Sequence, residues 1–97
     1  MEINYSESVL IAREIILEQH IAPSISEKEI VQYVQDGMYD INTQIGCMID
    51  YSKDLVAKSL LKNYCLYARY KRLAEFNSIY QGEYVKLQFK YNRDTDL

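Results

Sequence analysis

Apolar positions between Ser26 and Gly46 recur every three or four residues. Ile30, Val34, Met38, Ile41 and Ile45 fall on one stripe, Val31 and Gly37 sit at its edges, and Gln32, Gln35, Asp36, Asn42 and Thr43 face away. That spacing is the period of an amphipathic helix. Ser26-Glu27-Lys28-Glu29 has the form of a capping box, in which the serine oxygen accepts from the N3 amide and the glutamate reaches back to the serine amide. Gly46 stands where a left-handed residue ends a helix. The pattern predicts a helix that follows the box and runs to about Ile45.

A second helical pattern runs from Ser6 to His20. Val9, Ile11, Ala12, Ile15 and Ile16 share one face, whereas Leu10, Leu17 and Ile21 form an opposite stripe. Pro23 forbids continuation. A third helix is expected from Lys53 to about Phe76, capped by Ser52, with Asp54 in its first turn near the positive end of the helix dipole. Val56, Ala57, Leu60, Leu61, Tyr64, Tyr67 and Ala68 make its broad apolar face, into which Lys71 also points. Leu55, Leu66, Tyr70 and Leu73 make a separate stripe on roughly the opposite side, and Lys58, Lys62, Arg69 and Arg72 fill a gap between the two. The connection between these helices, Cys47 to Tyr51, is unusually apolar for a loop.

The segment from Tyr80 to Tyr91 fits two periods. Tyr80, Tyr84, Leu87 and Tyr91 recur as in a helix, while Val85, Leu87, Phe89 and Tyr91 alternate as in a strand. A lone strand has no partner within the chain, which favours a short helix. A strand donated to another subunit is the competing reading. With three glycines and one proline in 97 residues, the chain lacks the punctuation of a turn-rich β fold. The expected fold is all-α: a small four-helix bundle with one long central helix, a single domain over residues 1–91, and a frayed tail at 92–97.

No apolar run approaches the ~20 residues that cross a bilayer, and the acidic N-terminus lacks a signal-peptide pattern. A cytoplasmic protein with no membrane partner is expected. Cys47 and Cys65 have neither metal nor redox spacing, and His20 has no nearby ligand partner. The carboxylates and hydroxyls show no spacing that nucleophilic, metal or phosphate chemistry demands. No catalytic residue, metal or cofactor is assigned, and the expected function is not enzymatic.

Charge is distributed unevenly. Residues 1–50 hold nine acidic and two basic side chains, a net of −7; residues 51–97 hold nine basic and five acidic, a net of +4, which gives the whole chain its −3. Such a chain complements itself, within one copy or between copies. The two stripes on the third helix fit either a helix central in its own bundle or one that binds a second copy; two stripes on the first helix as well tip the balance to the second reading. Leu10, Leu17, Leu55, Leu66, Tyr70 and Leu73 are then the candidate oligomer interface. Lys58, Lys62, Arg69 and Arg72 form a charge-complementary surface for the acidic residues of the first two helices. The same basic run offers phosphate contacts, but the chain is net acidic and carries no base-reading motif.

The stretch ISEKEIVQYVQDGMYDINTQIG followed by DLVAKSLLKNYCLYARYKRLAEFNSIYQGEYVKLQ resembles the tailed-phage head–tail connector family, the small adaptor or head-completion proteins beneath the portal. A helix with an isoleucine-glycine stop, a long helix and an aromatic segment carry the likeness, over roughly residues 25–90. The resemblance implies a phage or prophage virion structural protein, made in the bacterial host cytoplasm and ending at the head–tail junction. Its copies would assemble into a ring, often about twelvefold. Double-stranded DNA would pass through the ring without sequence-specific binding, with the portal and a stopper or tail-side protein as neighbours. The rival readings are a small helical nucleic-acid-binding regulator and a non-viral oligomerisation module.

Overall fold

In the computed structural model, which describes residues 3–92, the central element is the helix with the cleanest sequence pattern. Five helices follow in order: α1 (Tyr5–Glu18), α2 (Glu27–Ile45), α3 (Leu55–Arg69), α4 (Leu73–Ile79) and α5 (Gln81–Asn92). The protein is an all-α bundle in which α1, α3 and α5 all pack on α2, and α4 bridges α3 and α5.

Local chemistry explains α2. Ser26 Oγ accepts the Glu29 amide at 3.2 Å, and Gly46 closes the far end at φ +89°, where a Cβ would be strained. Ile30, Val34, Met38, Ile41 and Ile45 are all buried, as expected. Gly37 permits close approach of α3: a Cβ there would stand 2.6 Å from Leu61 Cδ1 and 2.8 Å from Tyr64 Cδ1. Asn42, expected to face away, is buried instead. It accepts the Tyr51 hydroxyl at 2.8 Å, because the apolar connection folds Ile49 and Tyr51 inward and the phenol needs a partner there.

Asn4 caps α1, its Oδ1 accepting the Glu7 amide at 3.0 Å. Ile11, Ala12 and Ile15 are buried, and Val9 and Ile16 pack at the core margin. The helix ends with His20 at φ +51° while the Ile21 amide donates to Ile16 O at 3.1 Å, the reversal of a Schellman stop. That turn carries Ile21 into the core. The expected grouping of Ile21 with Leu10 and Leu17 is therefore corrected.

The expected long central helix is broken. Asp54, not Ser52, caps α3, its Oδ1 accepting the Ala57 amide at 3.0 Å. Ser52 instead turns back to Asp50, donating its amide at 3.0 Å. The helix stops at Arg69, Lys71 takes φ +58°, and the Arg72 amide donates to Tyr67 O at 2.8 Å. Lys71 is thereby exposed rather than aimed into the apolar face. The cause lies in Phe76, fully buried after the bend, stacked on Tyr80 at 4.8 Å and edge-on to Tyr64 at 5.5 Å. Burying such a ring contributes about 2–3 kcal/mol, and each aromatic pair adds about 0.5–1.5 kcal/mol. One left-handed non-glycine residue costs about 1–2 kcal/mol, so the bend wins. Five helices with α2 at the centre replace the expected four.

The last segment is helical, which removes the donated strand. Tyr84 and Leu87 are buried and Tyr80 and Tyr91 pack at the core margin, the helical set of the two offered by the sequence. The Tyr84 hydroxyl donates to Asp40 Oδ2 at 3.0 Å, fixing α5 on α2. Asn92 belongs to α5, one residue beyond the expected domain end; the remainder of the expected tail, 93–97, lies outside the described residues.

Candidate interaction surface of α1 and α3

Several large apolar side chains on α1 and α3 stay exposed although the core is closed. On α1, Leu10 and Leu17 are seven residues, or two turns, apart and stand opposite the buried stripe, 61% and 76% exposed. Leu55 and Leu66 of α3 and Tyr70, the residue that ends it, fall within one narrow arc. Leu55 and Tyr70 are exposed, and Leu66 is half-buried. Leu73 does not belong with them. The break turns it into the first turn of α4, where it packs against the core. Val56, expected on the core face, is exposed on the rim of an open groove of roughly 430 Å³ between α3 and α5, floored by Leu60 and walled by Tyr80 and Glu83. Leu66, Tyr67 and Tyr70 line a smaller cleft of roughly 210 Å³ beside the helix break.

Ion pairs join the two helices. Glu14 Oε1 lies 2.9 Å from both Lys58 Nζ and Lys62 Nζ, and Lys62 Nζ is also 2.9 Å from Glu18 Oε2. Gln19 extends the seam, donating to Lys62 O at 3.3 Å and accepting Arg69 Nη1 at 2.7 Å. The hydrogen bond from Lys58, with help from Lys62 and against some desolvation, holds the Glu14 carboxyl below its usual range. Burial works against the charged form of Lys62, but the hydrogen bonds to Glu18 and Glu14 prevail and raise its pKa. Arg72 stands apart, pairing with Glu75 inside α4 at 3.5 Å with both side chains exposed. Lys58 and Lys62 thus pair with Glu14 and Glu18 of α1 within the same chain, and Arg69 reaches Gln19 at its end; Glu27 of α2 pairs instead with Arg13 of α1 at 2.8 Å. Part of the charge polarity of the sequence is thus answered within one copy, by Glu14 and Glu18.

Two features escaped the sequence reading. Asp54, besides capping α3, accepts Lys90 Nζ at 2.9 Å and the Tyr91 hydroxyl through Oδ2, clasping the start of α3 to the end of α5. Burial pushes its pKa up, but the hydrogen bonds from Tyr91, the Ala57 amide and Lys90 outweigh it and leave the carboxyl below its usual range. On α5, Val85 and Phe89 form an exposed pair one turn apart, 43% and 70% exposed. The available signal was that neither belongs to the Tyr84–Leu87–Tyr91 stripe.

The thiols are unlike nucleophiles. Desolvation pushes buried Cys65 up to about 12 and raises half-buried Cys47, so both are protonated near neutral pH. Among the described residues, no group of three or more His, Cys, Asp or Glu side chains is placed to hold a metal ion. Every buried side-chain nitrogen or oxygen there has a hydrogen-bond partner. No helix among them is long and apolar enough to cross a membrane. Compared with protein-family models, with curated proteins and with solved structures, the chain matches none.

Proposed function

We propose that this chain is a structural protein of a tailed phage or prophage, a head–tail connector whose copies close a ring beneath the portal and extend the channel for double-stranded DNA. The observation that carries the reading is the exposure of Leu10, Leu17, Leu55 and Tyr70 on a chain whose core is already closed by other side chains. Apolar side chains presented from neighbouring helices favour a protein partner, and the likeness of residues 25–90 to the connector family supplies the kind of partner. The mechanism is geometric. Burial between sister copies sets the ring, and the ring's two faces meet the portal and the tail-side protein. Neither a cofactor nor a catalytic step enters it. The protein acts in the host cytoplasm during assembly and then in the virion.

The nucleic-acid-binding alternative loses support because Lys58 and Lys62 already answer Glu14 and Glu18. Phosphate would have to displace those carboxylates before counterion release could drive binding. An oligomerisation module outside a virus would stop at a dimer. Electron microscopy of the protein mixed with its cognate portal tests the reading. Ring density coaxial with the portal supports it, and a portal left bare in the presence of excess protein overturns it.

A further inference from the structure

A single residue separates α4 from α5. Tyr80 stands between Ile79 and Gln81 at φ −100° and ψ 10°, about 40° and 50° from ordinary helical values and in an adjoining allowed region. The Tyr80 amide still donates to Phe76 O at 2.9 Å, as in an unbroken helix. Beyond it the register tightens, and the Glu83 amide donates to Tyr80 O at 2.9 Å where a continuous helix would use Ile79 O. Correcting this one residue would let the Gln81, Gly82 and Glu83 amides take the carbonyls of Asn77, Ser78 and Ile79. Gly82 adds backbone freedom at the same place, and no neighbour within 4 Å requires a glycine there.

The hold on bent α5 is thin and largely polar. Tyr84 and Leu87 are its two buried side chains. Tyr84 donates to Asp40 at 3.0 Å, Gln88 to Gln44 O at 3.1 Å, and Lys90 to Asp54 at 2.9 Å, with Tyr91 on the same Asp54 oxygen. The open groove stands between α5 and α3. The aromatic core survives without α5. When Tyr84, at 6.1 Å, departs, Phe76 keeps Tyr64 at 5.5 Å, Tyr67 at 5.8 Å and Tyr80 at 4.8 Å.

We infer that α5 is a hinged strap, which leaves α2 by straightening at Tyr80 so that α4 and α5 become one helix over residues 73–92. This goes beyond the proposed function and does not depend on it. The bent form hides Tyr84 and Leu87; the straight form uncovers them together with the side of α2 that Asp40 and Gln44 mark. Straightening conserves helix, which separates it from fraying of a chain end. A partner that favours the straight form would draw α5 out.

Paired spin labels at Tyr39→Cys and Phe89→Cys, both exposed, read the α2–α5 distance in the full-length chain with Cys47→Ala as background; Cys65 is buried. Phe89 lies nine residues beyond the joint, a lever of about 14 Å, so the straight form should add a second distance longer by on the order of 10 Å. Asp54→Asn keeps a capping side chain for α3 while removing the charge that holds Lys90. Tyr84→Phe keeps the ring while removing the bond to Asp40. Together they should raise the long-distance fraction at least about fivefold, with far-ultraviolet circular dichroism and the hydrogen-exchange protection of α2 unchanged. One distance, the same in parent and double variant, overturns the strap. A long distance accompanied by loss of helical signal overturns the hinge, because α5 is then melting rather than straightening. Where the double variant loses α2 protection, Asp54→Asn alone is read by the same two outcomes.

Discussion

Lys62 Nζ lies 2.9 Å from Glu18 Oε2, tying α3 to α1 across 44 residues of sequence. Glu14 shares the same ammonium and also holds Lys58. Reversing the central charge with Lys62→Glu sets three carboxylates together. We expect it to cost about 1–2 kcal/mol in urea unfolding, while Lys62→Met costs no more than about 1 kcal/mol, because methionine keeps the half-buried apolar stem and ion pairs whose carboxylates stay open to water contribute little.

The same seam has a pH signature of defined sign. Glu14 is depressed in the folded state, so its contribution is present above the ordinary glutamate range and is lost as pH falls below about 4. Lys62 is raised, so its contribution is complete below the ordinary lysine value and is lost as pH climbs past about 10.5. Unfolding midpoints measured across this range should fall at both ends, and Lys62→Met should flatten the alkaline limb.

The break between α3 and α4 gives a test that reverses sign. Lys71 sits at φ +58°, where glycine is unstrained. Lys71→Gly should therefore stabilise the protein by about 0.5–1 kcal/mol. Had α3 continued through this point, as its sequence pattern predicts, a mid-helix glycine would cost about 0.5–1 kcal/mol. The direction of the shift in urea midpoint distinguishes the two.

That disagreement marks what the pattern carried and what it did not. α2 was legible because its apolar period is unbroken and both ends carry residues with a local reason to be there, Ser26 and Gly46. The bend was not, because no glycine or proline announces it. It is set by Phe76 finding Tyr64 and Tyr80, a tertiary event. Asn42 reads as surface until Tyr51 arrives from the following loop. The exposed leucines of α1 and α3 were visible as residues off the main stripe. Leu73 and Val56 were misplaced because one depends on the bend and the other on how far α5 stands from α3. Charge complementarity was legible as a sum. The part of it answered within one copy needed the positions of Glu14 and Glu18.

Two glycines in helices should respond oppositely to alanine. At Gly37 the new methyl meets Leu61, which is fully buried, and Tyr64. Overpacking of about 1–3 kcal/mol should exceed the gain of about 1 kcal/mol in helix propensity. Gly82 has nothing within 4 Å of that position, and Gly82→Ala should stabilise by up to about 1 kcal/mol. Thermal melts of the two variants should bracket the parent.

Leu17→Asp combined with Tyr70→Asp separates folding from assembly. Both side chains are mostly exposed, at 76% and 63%, so the pair should change unfolding free energy by no more than about 1 kcal/mol and leave the circular dichroism of the helices intact. Should these ridges be buried between sister copies, each aspartate would place an unpaired carboxylate in an apolar contact. A single such burial costs several kcal/mol, enough at two positions in every repeat to prevent ring closure. Sedimentation and electron microscopy with the portal should then show folded protein that no longer assembles. Assembly at parental concentration would exclude both residues from the neighbour contact and leave α5 and the α3–α5 groove to account for it.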